Sequence, residues 1–241
     1  MPKNAYTSQI VTDYETLEPG ETDSWNPLGN EYELAYRLAV FYALTQALEM
    51  SQISLRDLKV LDLGCGNGRS TRMYIDLGLS PRQLTGLDLR PGTIELAKKL
   101  NPGISYLAYD GETIPFPSHS FNWISVTTVF SSIKGEECRR HIVEQIYQAL
   151  PPGGYVFYFD LRLINWFAGI GPVRPLQLFS KFDRVWYYPV KHMDFIPLDK
   201  QFRKVSQVFR SGDIKQFRST ILSLPARFLQ FSHEALLVQK R

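Results

Sequence analysis

The stretch Val60-Leu61-Asp62-Leu63-Gly64-Cys65-Gly66-Asn67-Gly68-Arg69-Ser70-Thr71 gathers the groups that a small polar ligand would need. Gly64, Gly66 and Gly68 permit positive φ and let a ligand approach backbone that a Cβ would block. A helix starting just beyond them offers free N–H groups to an acceptor such as a carboxylate. Asp62 stands two residues before the first glycine. A second acidic strand end, Gly86-Leu87-Asp88, follows after about one β-α-β unit. Farther on, Thr127, Ser131 and Ser132 offer hydroxyls, while Asp160 and Arg162 offer a carboxylate and a guanidinium. Dinucleotide enzymes use the same glycine logic with an acidic ribose contact, so the turn alone leaves the cofactor open.

The elements that position these residues follow from patterning. Val60 to Leu63 are mostly apolar and suit a buried strand, about 59–63. A helix over about 68–78 stops near Gly78, with Pro81 beyond. A second strand spans about 83–88, and Pro91 fits the first turn of a helix running to about Leu100. Strands at about 104–108, 121–128 and 155–160 flank a helix at about 135–149, which Pro151-Pro152-Gly153-Gly154 ends. Upstream, Glu31 to Met50 reads as one amphipathic helix with Leu34, Leu38, Phe41, Leu44 and Leu48 on its core face. Downstream, Leu176 to Phe182 reads as a short helix, Arg184 to Met193 as strand six, and Leu236 to Gln239 as the end of strand seven, which starts near His233. Alternating strands and helices imply a parallel sheet covered on both faces. Ligands of such sheets bind at the strands' carboxyl ends, near the point where strand order reverses. Asp62, Asp88, Asp110, Thr127 and Asp160 lie at those ends. His119 lies in a turn at the opposite edge.

Asp62-Leu63-Gly64-Cys65-Gly66-Asn67-Gly68 resembles the first motif of class I S-adenosylmethionine (SAM) dependent methyltransferases. The resemblance continues through Asp88, through Asp110-Gly111-Glu112 with Pro115-Phe116-Pro117, and through Pro151-Pro152-Gly153-Gly154. It implies a Rossmann-like α/β fold: a seven-stranded, mostly parallel sheet with helices on both faces, an N-terminal lid and a C-terminal cap insertion. Residues 1–50 would form lid and helix. Residues 51–241 would form the SAM-binding domain, with the cap at about 195–230. The cofactor implied is SAM, with S-adenosylhomocysteine (SAH) as product. The resemblance places Gly64, Cys65, Gly66 and Gly68 along the methionine tail and Asp62 toward its amino group. Asp88 would accept from both ribose hydroxyls, one oxygen for each donor. Leu89 would lie against the adenine and Asp110 would accept from its amine, with Gly111, Glu112 and Thr127 nearby. No metal is implied. Phe121-Asn122-Trp123 departs from the family's usual Phe-Asp-hydrophobic, away from the chemistry.

The acceptor site is less defined. A neutral hydroxyl needs a base, whereas an ionised oxygen needs only cations that orient it. Ser131 and Ser132 stand where many relatives carry catalytic groups; they suit acceptor orientation or helix capping. Arg162 suits an oxyanion clamp, because its planar fork pairs bidentately, or an ion pair with Asp160. Lys191 and His192 end strand six at the same edge, and His233 opens strand seven there. His192 can add charge or act as a base. Asp160 is a further candidate catalytic group, and Trp25 and Arg37 are candidates for acceptor contact. Thr128-Val129-Phe130-Ser131-Ser132-Ile133, Tyr158-Phe159-Asp160-Leu161-Arg162 and Trp25-Asn26-Pro27-Leu28 resemble a subgroup that includes phosphonate O-methyltransferases of natural-product pathways.

Composition sets the outer bounds. The 241 residues suit one α/β domain with an elaboration. Two cysteines are too few for a disulfide framework, which favours a reducing cytoplasm. No apolar run suits a membrane span, and the N-terminus lacks a signal peptide's apolar core. Residues 1–160 carry 13 Lys/Arg against 19 Asp/Glu, whereas 161–241 carry 14 against 5. The basic C-terminal third fits a solvated surface, an anionic small substrate, an anionic membrane or nucleic acid. Its dispersed charges resemble no RNA-binding module, so a nucleic-acid partner is not expected. The leading expectation is O-methylation of a small, anionic acceptor in secondary metabolism, by a monomer or homodimer. The alternatives are N-methylation of a small amine, or O-methylation of a sugar or polyketide hydroxyl.

Overall fold

The computed structural model describes residues 31–162, 173–190 and 233–241. The expected lid around Trp25, the strand end at Lys191 and His192, and the cap at 195–230 lie outside the described residues. In chain order the elements are α1 (Glu31–Ser51), β1 (Val60–Leu63), α2 (Arg69–Asp76), β2 (Leu84–Asp88) and α3 (Pro91–Leu100). They continue with β3 (Ser105–Ala108), β4 (Trp123–Thr127), α4 (Glu136–Ala149), β5 (Tyr155–Leu161), α5 (Pro175–Leu178), β6 (Asp183–Val190) and β7 (His233–Gln239). A single 3-10 turn, Phe130–Ser132, follows β4.

The strands form one sheet in the order β3-β2-β1-β4-β5-β7-β6. The first five pair in parallel; β7 runs antiparallel to both β5 and β6. Strand order reverses between β1 and β4, which puts the crevice expected for ligands above those two strands. β1 is buried along its whole length, Asp62 included, as a central parallel strand covered on both faces requires. Pro189 is confined to β6, an edge strand, where a missing N–H donor is tolerated. One face of the sheet packs against α1, α2 and α3, and the other against α4 and α5.

The sequence pattern misreads the face of α1. Leu34 and Leu38 are exposed and Phe41 is half-buried, while Ala35, Ala39, Val40, Ala43, Leu44, Ala47 and Leu48 are buried. The alanines let the helix axis approach β5, β7 and β6 closely, and the bulkier leucines of the opposite stripe are left outside. Leu44 and Leu48 each contribute about 1.5–3 kcal/mol on burial, enough to hold the helix on the sheet. Its first turns thereby reach the carboxyl ends of β4 and β5. The short helix near residue 176 is a single turn, Pro175–Leu178.

Candidate active site

The turn after β1 folds back on β2: Gly64 N–H and Cys65 N–H both donate to Leu87 O, at 2.7 and 2.9 Å. Gly64, Gly66 and Gly68 all have positive φ, but they do different work. A Cβ on Gly64 would run into the Val129 side chain, and one on Gly68 into Tyr106 and Asn101. A Cβ on Gly66 would meet nothing within 4 Å. Two of the glycines serve the protein's own packing, and Gly66 faces open space. Gly64→Ala is expected to cost about 2–5 kcal/mol, from the left-handed backbone and the Val129 contact together. Thermal unfolding would show it as a lower melting temperature; an unchanged melt would contradict this packing role.

Asp62 has no exposed surface. Its Oδ2 accepts from Ser70 Oγ at 2.7 Å and Thr71 Oγ1 at 2.6 Å. Its Oδ1 is buried with no hydrogen-bond partner among the described residues. Burial pushes the carboxyl up from 3.8 to about 6, against the pull of Thr71 and Ser70. A buried carboxylate oxygen without a donor is costly, and a cationic donor would relieve it.

Asp88 is not the open carboxylate that the sequence suggests. Oδ2 accepts from Gly66 N–H at 2.9 Å, and Oδ1 accepts from Arg90 N–H at 3.0 Å and Arg90 Nε at 3.2 Å. It fixes the glycine turn first; a ribose diol would use its remaining lone pairs. Asp110 Oδ1 accepts from Glu112 N–H at 2.9 Å and closes an Asx turn with Gly111 at φ 80°. Gln145 Nε2 of α4 donates to Gly111 O at 3.1 Å and tethers that turn. Leu89 is half-buried, and Cys65 is buried, its thiol pushed up by burial.

At the ends of β4 and β5 the structure redistributes the expected roles. Asp160, a candidate catalytic group, has no exposed surface. Its Oδ2 accepts from Ser131 N–H at 3.1 Å and its Oδ1 from Leu161 N–H at 2.7 Å. Side chains alternate along β5, so Asp160 points to the α4 side while Phe159 faces α1. It fastens the turn after β4. Ser131 is buried with it, and Ser132 and Thr127 are half-buried. Arg162 is exposed, and its charge reaches Glu234 and Tyr187. Glu234 faces Asp160 in register and accepts from Tyr187 Oη at 3.0 Å. His233 is buried, stacked on Phe159 with ring centroids 5.3 Å apart. Arg37 Nε pairs with Glu33 at 3.0 Å, and Arg69 pairs with the same carboxylate. Glu33, Tyr36, Arg69, Thr128 and Glu234 were not among the expected site residues; their proximity arises from contacts between distant segments.

Residues 60–154 match a family described as a methyltransferase domain. The chain carries a class I SAM-dependent methyltransferase domain. Over 138 residues it is 33% identical to the phthiotriol/phenolphthiotriol dimycocerosates methyltransferase of Mycobacterium tuberculosis (strain ATCC 25618 / H37Rv), covering 53% of this chain and 48% of that protein. Over 105 residues it is 30% identical to the malonyl-[acyl-carrier protein] O-methyltransferase of Serratia marcescens, covering 43% and 38%. The chain thus spans about half or less of the length of the curated relatives it matches. The N-methyltransferase NodS from Bradyrhizobium japonicum WM9, solved with SAH, superposes with a TM-score of 0.62 at 16% identity, covering 96% and 98%. That likeness extends the methyltransferase fold over the whole described sheet.

The residues of the methyltransferase domain fit SAM. The unpartnered Oδ1 of Asp62 would receive the methionine ammonium, and the space over Gly66 would take the tail. Asp88 and the Asp110 turn stand at or just past the neighbouring strand ends, where they would meet the ribose and adenine. Among the described residues, no group of three or more His, Cys, Asp or Glu could hold a metal ion, and no helix is long and apolar enough to cross a membrane.

Proposed function

We propose that this chain transfers a methyl group from SAM to an oxygen of a small anionic acceptor. The observation that supports SAM as the donor is the pairing of an unpartnered buried carboxylate oxygen with an open glycine, at the point where strand order reverses. Bound SAM would supply a methyl group on a sulfonium, whose departure as a neutral sulfide needs no proton. Asp62 and the glycine turn hold the donor's tail. Asp88 and Asp110 fix its nucleoside end.

The acceptor side is built from hydroxyls and cations. Asp160 is committed to the turn after β4. Burial pushes the Tyr36 phenol up to about 12, so it stays protonated. Thr128, Ser132 and Arg162 can then orient an oxygen that arrives already ionised, and an ionised oxygen releases no proton on methylation. The relative named for malonyl-acyl carrier protein O-methylation supports an oxygen acceptor. Lys191 and His192 would add to the cationic lip.

One observation favours a second reading. Glu234 lies at the same edge, its carboxyl raised by burial, and a raised carboxylate suits a general base for a neutral hydroxyl. SAH formation, followed by mass spectrometry over alkylphosphonates, phosphate monoesters, carboxylic acids, phenols, sugars and amines, separates the two. Turnover confined to the ionised acids, with acceptor KM raised about tenfold or more in Arg162→Ala, is expected from a bidentate clamp. Turnover of neutral hydroxyls or amines alone, or an unchanged KM in that variant, would overturn the anionic reading.

A further inference from the structure

Thr128 directly follows β4, and it holds a backbone φ of 57°. That region crowds the Cβ of any L-residue and is a marked outlier for a β-branched one. Glycine would occupy it without strain. Two contacts hold the threonine there. Its N–H donates to Phe159 O at 2.7 Å, which extends the β4–β5 pairing by one residue. Its hydroxyl meets the hydroxyl of Tyr36.

Tyr36 is itself held from several sides. Its ring lies 5.5 Å from His233 and 5.8 Å, edge-on, from Phe159. The Arg69 guanidinium sits 5.3 Å from its ring centroid. Arg69 opens α2 directly after the glycine turn and pairs with Glu33, one helical turn before Arg37, which binds the same carboxylate. Five parts of the fold, α1, the turn after β4, β5, β7 and the start of α2, therefore converge on one pair of hydroxyls. Strain in a β-branched residue persists only where the surroundings over-determine it, and such residues cluster at functional sites.

We propose that Thr128 is a catalytic residue that orients the methyl acceptor through its hydroxyl, with Tyr36 as the positioning residue that fixes that hydroxyl. The inference rests on the methyltransferase reading above and deepens it. Tyr36 keeps its proton. Either hydroxyl can donate in this pair; in the proposed arrangement Tyr36 donates to Thr128 Oγ1. The threonine proton is then left to donate outward. Its recipient is a second oxygen on the centre that bears the attacking one, which selects carboxylates, phosphates and phosphonates over isolated hydroxyls. Glycine would remove the strain and the orienting group together.

The test uses the full chain with SAH in calorimetry and, for turnover, whichever member of the acid panel the wild type methylates fastest. Thr128→Gly is expected to melt at the same or a higher temperature and to keep SAH affinity within about twofold. Its kcat/KM for the acceptor should fall at least about thirtyfold, the loss of one charge-assisted hydrogen bond. Thr128→Val should lose a similar factor, Thr128→Ser should recover most of it, and Tyr36→Phe should lose about tenfold. A purely structural threonine would differ in turnover alone: Thr128→Gly would then leave kcat/KM unchanged in a protein as stable or more so. That result overturns the inference and leaves the methyltransferase reading standing. Failure of the wild type to bind SAH overturns that reading and this inference with it. SAH binding without turnover of any ionised acceptor overturns the two-oxygen acceptor proposed here.

Discussion

Asp62→Asn is expected to weaken SAH binding by about a hundredfold while the ligand-free protein melts no lower than the wild type. The two halves have one cause. Asp62 is fully buried, and burial raises its carboxyl from 3.8 to about 6. The folded chain therefore holds the proton more tightly than the unfolded one. The stability this gives is complete below pH 3.8 and is lost as pH rises through about 6. At neutral pH the buried charge costs about 3 kcal/mol. Asparagine removes that cost. Its carbonyl can still accept from Ser70 or Thr71, although its amide gains no acceptor, which offsets part of the gain. Binding moves the other way, because the ammonium of the methionine tail loses its buried anionic partner, worth about 3 kcal/mol. The wild-type affinity should be flat above pH 6 and fall toward tenfold per pH unit below it. Calorimetric titration between pH 5 and 8, beside melting curves, reads all three quantities. An asparagine variant that keeps its affinity would leave Asp62 a purely structural carboxylate.

The contrast between this residue and its neighbours shows what the sequence can carry. Strand, glycine turn and helix start are local signals, so β1, the turn and α2 were legible to within a residue or two, as was Pro91 opening α3. The role of Asp88 was only half legible. A carboxylate at a strand end announces an acceptor, but Gly66 lies 22 residues away and the bond to its N–H exists only once β1 and β2 pair. The face of α1 was lost because alanine carries little weight in an apolar pattern, although it decides how closely a helix can approach a sheet. Thr128 was invisible for a different reason. Nothing in Thr127-Thr128-Val129 marks one threonine as left-handed; the conformation is imposed by Phe159 and Tyr36, which are 31 and 92 residues distant in sequence.

Asp160 carries the second large effect, and its direction separates a fastener from a base. Asp160→Ala removes the acceptor for the Ser131 and Leu161 N–H groups, inside a region with no access to water. Each orphaned N–H costs about 1–3 kcal/mol. Burial also raises the Asp160 carboxyl, so deleting the charge returns part of that loss. A net loss of about 2–3 kcal/mol is expected, or roughly 5–10 °C in melting temperature for a chain of this size. Turnover should fall with it, because the turn bearing Ser131 and Ser132 and adjoining Thr128 is released. Asp160→Asn keeps an acceptor for one N–H and opposes the other with its own amide, so it should fall between alanine and wild type in both measures. A catalytic base would behave otherwise. Both substitutions would then abolish turnover equally, leave the melting temperature in place and erase the acidic limb of the pH–rate profile. Side chains on a strand buried on both faces can reach solvent only at its end, and Asp160 is followed by Leu161 before β5 stops. Arg162, one residue beyond the strand, is the first side chain of that segment to emerge at the carboxyl edge, which is why the proposed orienting role is given to it rather than to Asp160.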